Sequence, residues 1–228
     1  PVTANLATHT AANAQGSITL NSIETILGTS AADTFIGGDL AHASNADSLG
    51  NTIAERFRGN AGNDTITGGA DFFANGQRVV YFTIADYANN SNAQAINANL
   101  QTGSVSDGRG GTDTLINVDG LRGGAGDDIL LGGSQSRSSN GYFFELFRGN
   151  EGNDTLNGNN ANSGGDESSS DRADYSNNTA AQAITVNMDT GTVLDGLGGT
   201  DTLISISQVF GGAGNDVFNA SAAGGVAF

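Results

Sequence analysis

The sequence has no cysteine, no tryptophan, one proline and only eight basic residues. Without cysteine there are no disulfides, no thiolate zinc sites and no thiol nucleophile. Eight Lys and Arg against 24 Asp and Glu give 228 residues a formal net charge of −16. A surface of that sign repels nucleic acid and anionic lipid and attracts cations. No apolar run approaches the roughly 18 residues that a membrane-spanning helix needs. Histidine occurs only at His9 and His42 and recurs in neither repeat described below. There is therefore no repeated nucleophile–base pair or histidine metal cluster. Paired carboxylates of the kind glycosidases use are abundant, but their spacing follows glycine turns, and the segment is expected not to be an enzyme.

Glycine, by contrast, occurs 35 times, and its placement is regular. The stretch GNAGNDTIT at 59–67 returns as GNEGNDTLN at 149–157. Variants follow as GGAGDDILL at 123–131 and GGAGNDVFN at 211–219, with a weaker relative, GTSAADTFI, at 28–36. In each, a turn leads to an aspartate, and two positions later comes an apolar residue: Phe35, Ile66, Leu130, Leu156 or Phe218. Glycine lets a tight turn aim several carbonyl oxygens at one point. An aspartate just after the turn adds a hard anionic oxygen, and Ca²⁺ takes six to eight such ligands. One nonapeptide supplies about half of that shell, so two turns have to stack.

A longer repeat contains these motifs. The segment beginning DYANN at Asp86 recurs as DYSNN at Asp174, an offset of 88 residues that places Tyr87 with Tyr175, Asp113 with Asp201 and Asp128 with Asp216. VTANLATHT at 2–10 aligns with ITVNMDTGT at 184–192, so the chain reads as a partial repeat (1–70), a complete one (71–158) and a second partial one (159–228). The expectation is one continuous solenoid, taken from a longer tandem array. Within a repeat, AINANL, TDTLINV and their counterparts are short, β-branched and bounded by Gly, Asn and Asp, as strands are. Few hairpin dipeptides separate them, which favours a parallel coil, and the 15 residues from Asp113 to Asp128 and from Asp201 to Asp216 suit one turn of it. Three inserts interrupt the pattern. Leu49, Ile53 and Phe57 are spaced as on a short helix around Ser48–Phe57. A second insert ends in Tyr142, Phe143 and Phe144, whose aromatic surface either meets a partner or packs on the coil. Asp71, Asp86, Asp166, Asp171 and Asp174 lie beside inserts, where they either finish a shell at a coil edge or, as is commoner, are solvated loop aspartates.

The nonapeptides resemble the G-G-x-G-x-D-x-U-x repeat of the RTX, or hemolysin-type calcium-binding, proteins. That resemblance implies an all-β, right-handed parallel β-roll or β-solenoid with calcium-binding glycine-rich turns and short inserted loops or a short helix. It implies Ca²⁺ between successive turns, held by Asp33, Asp64, Asp113, Asp128, Asp154, Asp201 and Asp216. The turns themselves are marked by Gly59, Gly62, Gly108, Gly123, Gly126, Gly149, Gly152, Gly211 and Gly214. Ser30 and Ala31 stand where glycine is wanted, and Ile18 aligns with Asp113 and Asp201, so those turns are expected to bind weakly. The implied setting is secreted or cell-surface, with type I secretion. The partners are calcium ions, neighbouring repeats or further copies, and a glycan or other surface ligand. The implied role is a structural repeat of a surface layer, adhesin or filament. The alternative is an accessory module of a secreted protease, lipase or polysaccharide epimerase.

Overall fold

Three-residue strands such as Thr34–Ile36, Thr65–Thr67 and Thr155–Asn157 bury only their central residue, and a glycine follows each of these three. The computed structural model describes residues 1–38, 52–70, 72–74, 77–133, 144–159 and 171–220. Every regular element among them is a β-strand. In chain order they are β1 (Thr3–Asn5), β2 (Thr10–Asn13), β3 (Gly16–Thr19), β4 (Thr25–Leu27), β5 (Thr34–Ile36), β6 (Thr52–Arg58) and β7 (Thr65–Thr67). Next come β8 (Phe72–Ala74), β9 (Gln77–Asp86), β10 (Asn97–Asn99), β11 (Ser104–Ser106), β12 (Thr112–Ile116), β13 (Gly120–Arg122) and β14 (Ile129–Leu131). The last are β15 (Leu146–Arg148), β16 (Thr155–Asn157), β17 (Arg172–Asp174), β18 (Thr185–Asn187), β19 (Thr192–Leu194), β20 (Thr200–Ile204), β21 (Gln208–Phe210) and β22 (Val217–Asn219).

The chain forms two units, one of residues 1–87 and 103–120, the other of residues 88–102 and 121–228. In the first, a wide sheet runs β11-β12-β7-β5-β1-β2-β3 and a narrow one β9-β6-β4, with β8 paired to β9. The chain passes from narrow to wide sheet at each nonapeptide: β4 to β5, then β6 to β7. Parallel pairing of β5 with β7, of β4 with β6 and of β6 with β9 makes this a solenoid-like coil. Leu6, Phe35, Phe57, Ile66 and Val105 fill the space between the sheets, and the rings of Phe35 and Phe57 stack at 5.6 Å.

The second unit repeats the plan. Its wide sheet runs β22-β18-β19-β20-β16-β14-β10 and its narrow sheet β21-β17-β15-β13. Leu121, Leu130, Phe147, Leu156, Ile184 and Val193 form the core. Of the five apolar residues that follow the turns, Phe35, Ile66, Leu130 and Leu156 are fully buried, and Phe218, in the end strand β22, is half-buried.

Two expectations are corrected. The helix anticipated around Ser48–Phe57 is, from Thr52 onward, the strand β6, paired in parallel with β9; Ser48 and Leu49 lie outside the described residues. Glu55 and Phe57 are buried while Ala54 is exposed, a period of two that the helical spacing of Ile53 and Phe57 concealed. The coil is also not purely parallel. Antiparallel pairs β1–β2–β3, β11–β12 and β18–β19–β20 bring hairpins into the wide sheets. Their turns use glycines such as Gly108 and Gly196 at positive φ rather than the Asn-Gly dipeptide that signals a hairpin. In the second insert, Tyr142 and Phe143 lie outside the described residues, whereas the Phe144 ring carries the Arg172 guanidinium 3.4 Å above it.

Candidate metal centre

At each narrow-to-wide corner the strands diverge and backbone amides lose their ladder partners. The aspartate that closes the nonapeptide replaces them. In the first unit Val2 N donates to Asp33 Oδ1 at 2.5 Å, Asp33 N to Asp64 Oδ1 at 2.7 Å and Asp64 N to Asp113 Oδ1 at 2.9 Å. In the second, Ile96 N donates to Asp128 Oδ1 at 2.7 Å, Asp128 N to Asp154 Oδ1 at 2.8 Å and Asp154 N to Asp201 Oδ1 at 2.9 Å. Ile184 N and Asp216 Oδ1 repeat the bond at 2.9 Å. The result is a row of carboxylates, one per rung, facing inward.

The rows differ from the stack that the 15-residue spacing suggests. Asp113 closes a row with Asp33 and Asp64, while Asp128 and Asp154 are followed by Asp201. Register explains it: Thr114 of β12 pairs with Thr65 of β7, and Thr202 of β20 with Thr155 of β16.

The second carboxylate oxygen distinguishes the members of a row. Asp33 Oδ2 takes Thr29 N at 2.5 Å and Asp128 Oδ2 takes Gly124 N at 2.7 Å. Asp113 Oδ2 takes the Tyr87 hydroxyl at 2.8 Å, and Asp201 Oδ2 the Tyr175 hydroxyl at 2.7 Å. Asp64 Oδ2 and Asp154 Oδ2, each on a side chain only 1% exposed, take no hydrogen bond. A buried carboxylate oxygen left bare is costly. Burial is also the chief reason that the Asp154 carboxyl is pushed up to about 8, with the negative charges of Asp201, Asp128 and Asp195 adding to it. Burial likewise raises Asp64, Asp113, Asp128 and Asp201 to about 6, against the pull of the backbone amides that bond them. The same burial, with Asp113 or Asp201 beside it, raises the Tyr87 and Tyr175 hydroxyls, which remain donors.

Glycine at the first position of each turn is a matter of room. A Cβ at Gly59, Gly123, Gly149 or Gly211 would collide with Oδ2 of Asp64, Asp128, Asp154 or Asp216. At Gly28 and Gly123 the same Cβ would also meet the carbonyl of the next turn, Gly59 O at 2.7 Å and Gly149 O at 2.8 Å. Carboxylate and carbonyl of successive turns thus face one small volume. Gly62 and Gly152 serve differently, adopting φ of 121° and 116° that a side chain would strain. Asn60 and Asn150, also at positive φ, tie each turn to the one before by donating to Gly28 O and Gly123 O. Gly126 packs against Ala95 and Gly214 against Ala183, so both are held close by neighbouring loops. Gly108 lies in the β11–β12 hairpin turn with φ 71°, not in a nonapeptide turn.

Of the loop aspartates, those among the described residues are buried rather than solvated. Asp86 and Asp174 are buried and pair with Arg58, at 2.6 Å, and Arg148 of the adjacent narrow-sheet strands. The A-D-Y motif therefore supplies an ion pair and, through its tyrosine, a partner for the row. Asp171 is also buried, accepting Glu145 N at 3.0 Å, and burial raises it to about 6. Asp71 and Asp166 lie outside the described residues. Asp107 and Asp195, absent from the sequence-derived set, are fully buried in the hairpin turns. Their recurrence at the 88-residue offset, within D-G-x-G-G-T-D, was the available signal.

All of these donors are oxygens, and bare or crowded carboxylates of stacked turns fit a hard divalent cation such as Ca²⁺. The model of the RTX calcium-binding nonapeptide repeat matches four segments, residues 49–71, 119–136, 141–162 and 208–223. Each contains one of the four full nonapeptides; the weaker turn at 28–36 and both hairpin turns fall outside. No curated protein matches the chain.

Proposed function

Because this chain carries RTX calcium-binding nonapeptide repeats in four places, we propose that it is a calcium-folded structural segment of a secreted or surface-attached bacterial protein, serving as a repeat of a surface layer, adhesin or extracellular filament. The RTX repeat is a structural calcium-binding module and not a catalytic one. The observation that carries the reading is the row of inward aspartates, above all the bare oxygens of Asp64 and Asp154.

Asp33, Asp64, Asp128, Asp154 and Asp216 would hold the ions, with Gly59 O and Gly149 O presented by the following turns. Bound calcium supplies the positive charge that these carboxylates lack. Once the chain is coiled, the aspartates orient the corner amides and fix the register of the wide sheet. A chain of net charge −16 with its carboxylates unmet stays extended where calcium is scarce, as in a cytoplasm, and coils where it is plentiful. Binding free energy becomes folding free energy in such a case. Export through a narrow channel followed by folding outside suits that behaviour, and tandem repeats of 88 residues extend the coil.

The test is far-ultraviolet circular dichroism of the chain in EDTA and after calcium addition at pH 8. Coil giving way to β-structure is expected. A chain equally folded in EDTA at that pH overturns the reading.

A further inference from the structure

We propose that each D-G-x-G-G-T-D hairpin turn completes a second kind of calcium site, in which Asp195 joins Asp154 and Asp107 joins Asp64. This deepens the reading above and rests on it, but it concerns turns outside the four matched segments.

The clearest case lies in the second unit. Asp195 is fully buried, and its Oδ1 closes the hairpin turn by accepting Leu197 N at 2.8 Å, Gly198 N at 2.9 Å and Gly199 N at 2.8 Å. Its Oδ2 takes no hydrogen bond. In the turn that presents Gly152, Asp154 spends Oδ1 on Asp128 N and likewise leaves Oδ2 bare. Behind burial and the charges of Asp201 and Asp128, the Asp195 charge adds to the negative field that raises the Asp154 carboxyl. A third oxygen completes the rim. A Cβ at residue 199 would collide with Gly152 O and approach Asp195 Oδ2 to 2.9 Å, so glycine keeps open a small volume edged by a carbonyl and a carboxylate.

The second aspartate of the motif is already engaged within its own row. Both oxygens of Asp201 are taken, by Asp154 N and by the Tyr175 hydroxyl. The hairpin therefore divides the labour: its first aspartate offers an oxygen to a cation, and its second holds the row in register. The first unit carries the same arrangement. Asp107 Oδ1 accepts Arg109 N at 2.7 Å and Gly111 N at 2.8 Å, while a Cβ at Gly111 would collide with Gly62 O and meet Asp107 Oδ2 at 2.7 Å. Asp64 Oδ2 is bare, and the Tyr87 hydroxyl occupies Asp113 Oδ2. Two carboxylates and a carbonyl, with water for the remaining positions, form an oxygen-only shell suited to Ca²⁺.

The experiment counts calcium ions bound per chain, by equilibrium dialysis and isothermal titration calorimetry, with folding followed by circular dichroism. Asp195→Asn is expected to bind one ion fewer than the unaltered chain and Asp107→Asn/Asp195→Asn two fewer, while the exposed Asp189→Asn binds the full number. An unchanged count in the double variant overturns the proposal. If the unaltered chain binds no calcium, the function proposed above fails, a distinct result. Should the variants not fold, crystals of the unaltered chain soaked in terbium chloride decide. An anomalous peak about 2.3–2.6 Å from the bare oxygens of Asp154 and Asp195 is expected, and peaks at the nonapeptide turns alone overturn the assignment.

Discussion

A single atom accounts for the first glycine of each nonapeptide. At residue 149 there is no positive φ to explain it; the space for a Cβ is already filled by the Asp154 carboxylate. Alanine there pushes the carboxylate away from the amide of Asp128, to which it is bonded at 2.8 Å. Overpacking of this kind costs about 1–3 kcal/mol. Gly149→Ala is therefore expected to lower the unfolding free energy in calcium, read from a urea titration, by that amount and to weaken calcium binding at the adjacent turn. Gly16→Ala, at the start of β3, provides the contrast. Its φ of 147° is strained for alanine, yet a Cβ there meets no atom within 4 Å, so it should cost stability without altering the Asp154 carboxylate. If both variants weaken calcium binding equally, the steric account of Gly149 is wrong.

Between elements, the ion pair of Arg148 with Asp174 ties β15 to β17 in the narrow sheet, as Arg58 and Asp86 tie β6 to β9. The Arg148 and Asp174 side chains are 14% and 7% exposed, between the surface case, worth about 1 kcal/mol or less, and the fully buried one. Arg148→Met should thus destabilise by about 2 kcal/mol in calcium, mostly by stranding the Asp174 carboxylate. In a double-mutant cycle Asp174→Leu should restore part of the loss, and a coupling below about 0.5 kcal/mol would contradict the pairing. These pairs were legible in the sequence only as recurrence: A-D-Y and F-R-G-N return together, but nothing local says that one meets the other across 26 residues. Turn and following strand were readable because glycine, aspartate and an inward apolar residue act within nine positions. The hairpins were not, since Gly108 and Gly196 make their turns without the familiar dipeptide, and a D-G-x-G-G-T-D run looks like another nonapeptide. Asp113 and Asp201 stand where the nonapeptide pattern puts its aspartate, whereas Asp107 and Asp195 stand ahead of it. Helical spacing of Ile53 and Phe57 misled for a related reason: an interval of four residues also keeps two side chains on one face of a strand.

For the molecule as a whole, the buried carboxylates make acid and calcium alternative ways to neutralise the same interior. Asp64, Asp113, Asp128, Asp171 and Asp201 are raised to about 6 and Asp154 to about 8, from 3.8, chiefly by burial. The folded chain without calcium therefore binds more protons than the unfolded chain between about pH 4 and these values, so stability falls as pH rises through that window. The contribution is complete below about pH 4 and lost through about 6 for five of the groups and about 8 for Asp154. In EDTA, β-structure is expected near pH 5 and its loss on titration to pH 8, with calcium restoring it at pH 8 and releasing protons as it binds. Proton release is read from the dependence of the binding enthalpy on buffer ionisation. Relief of general repulsion in a chain of net charge −16 predicts the same direction, so one variant has to separate the two causes. Asp154→Asn removes a single charge of many but the whole of the contribution between about pH 6 and 8. It should flatten the profile in that interval and reduce proton release at pH 7, whereas the exposed Asp189→Asn, with the same change in net charge, should leave both as they were. Equal effects from the two variants would assign the response to surface charge and not to the buried row.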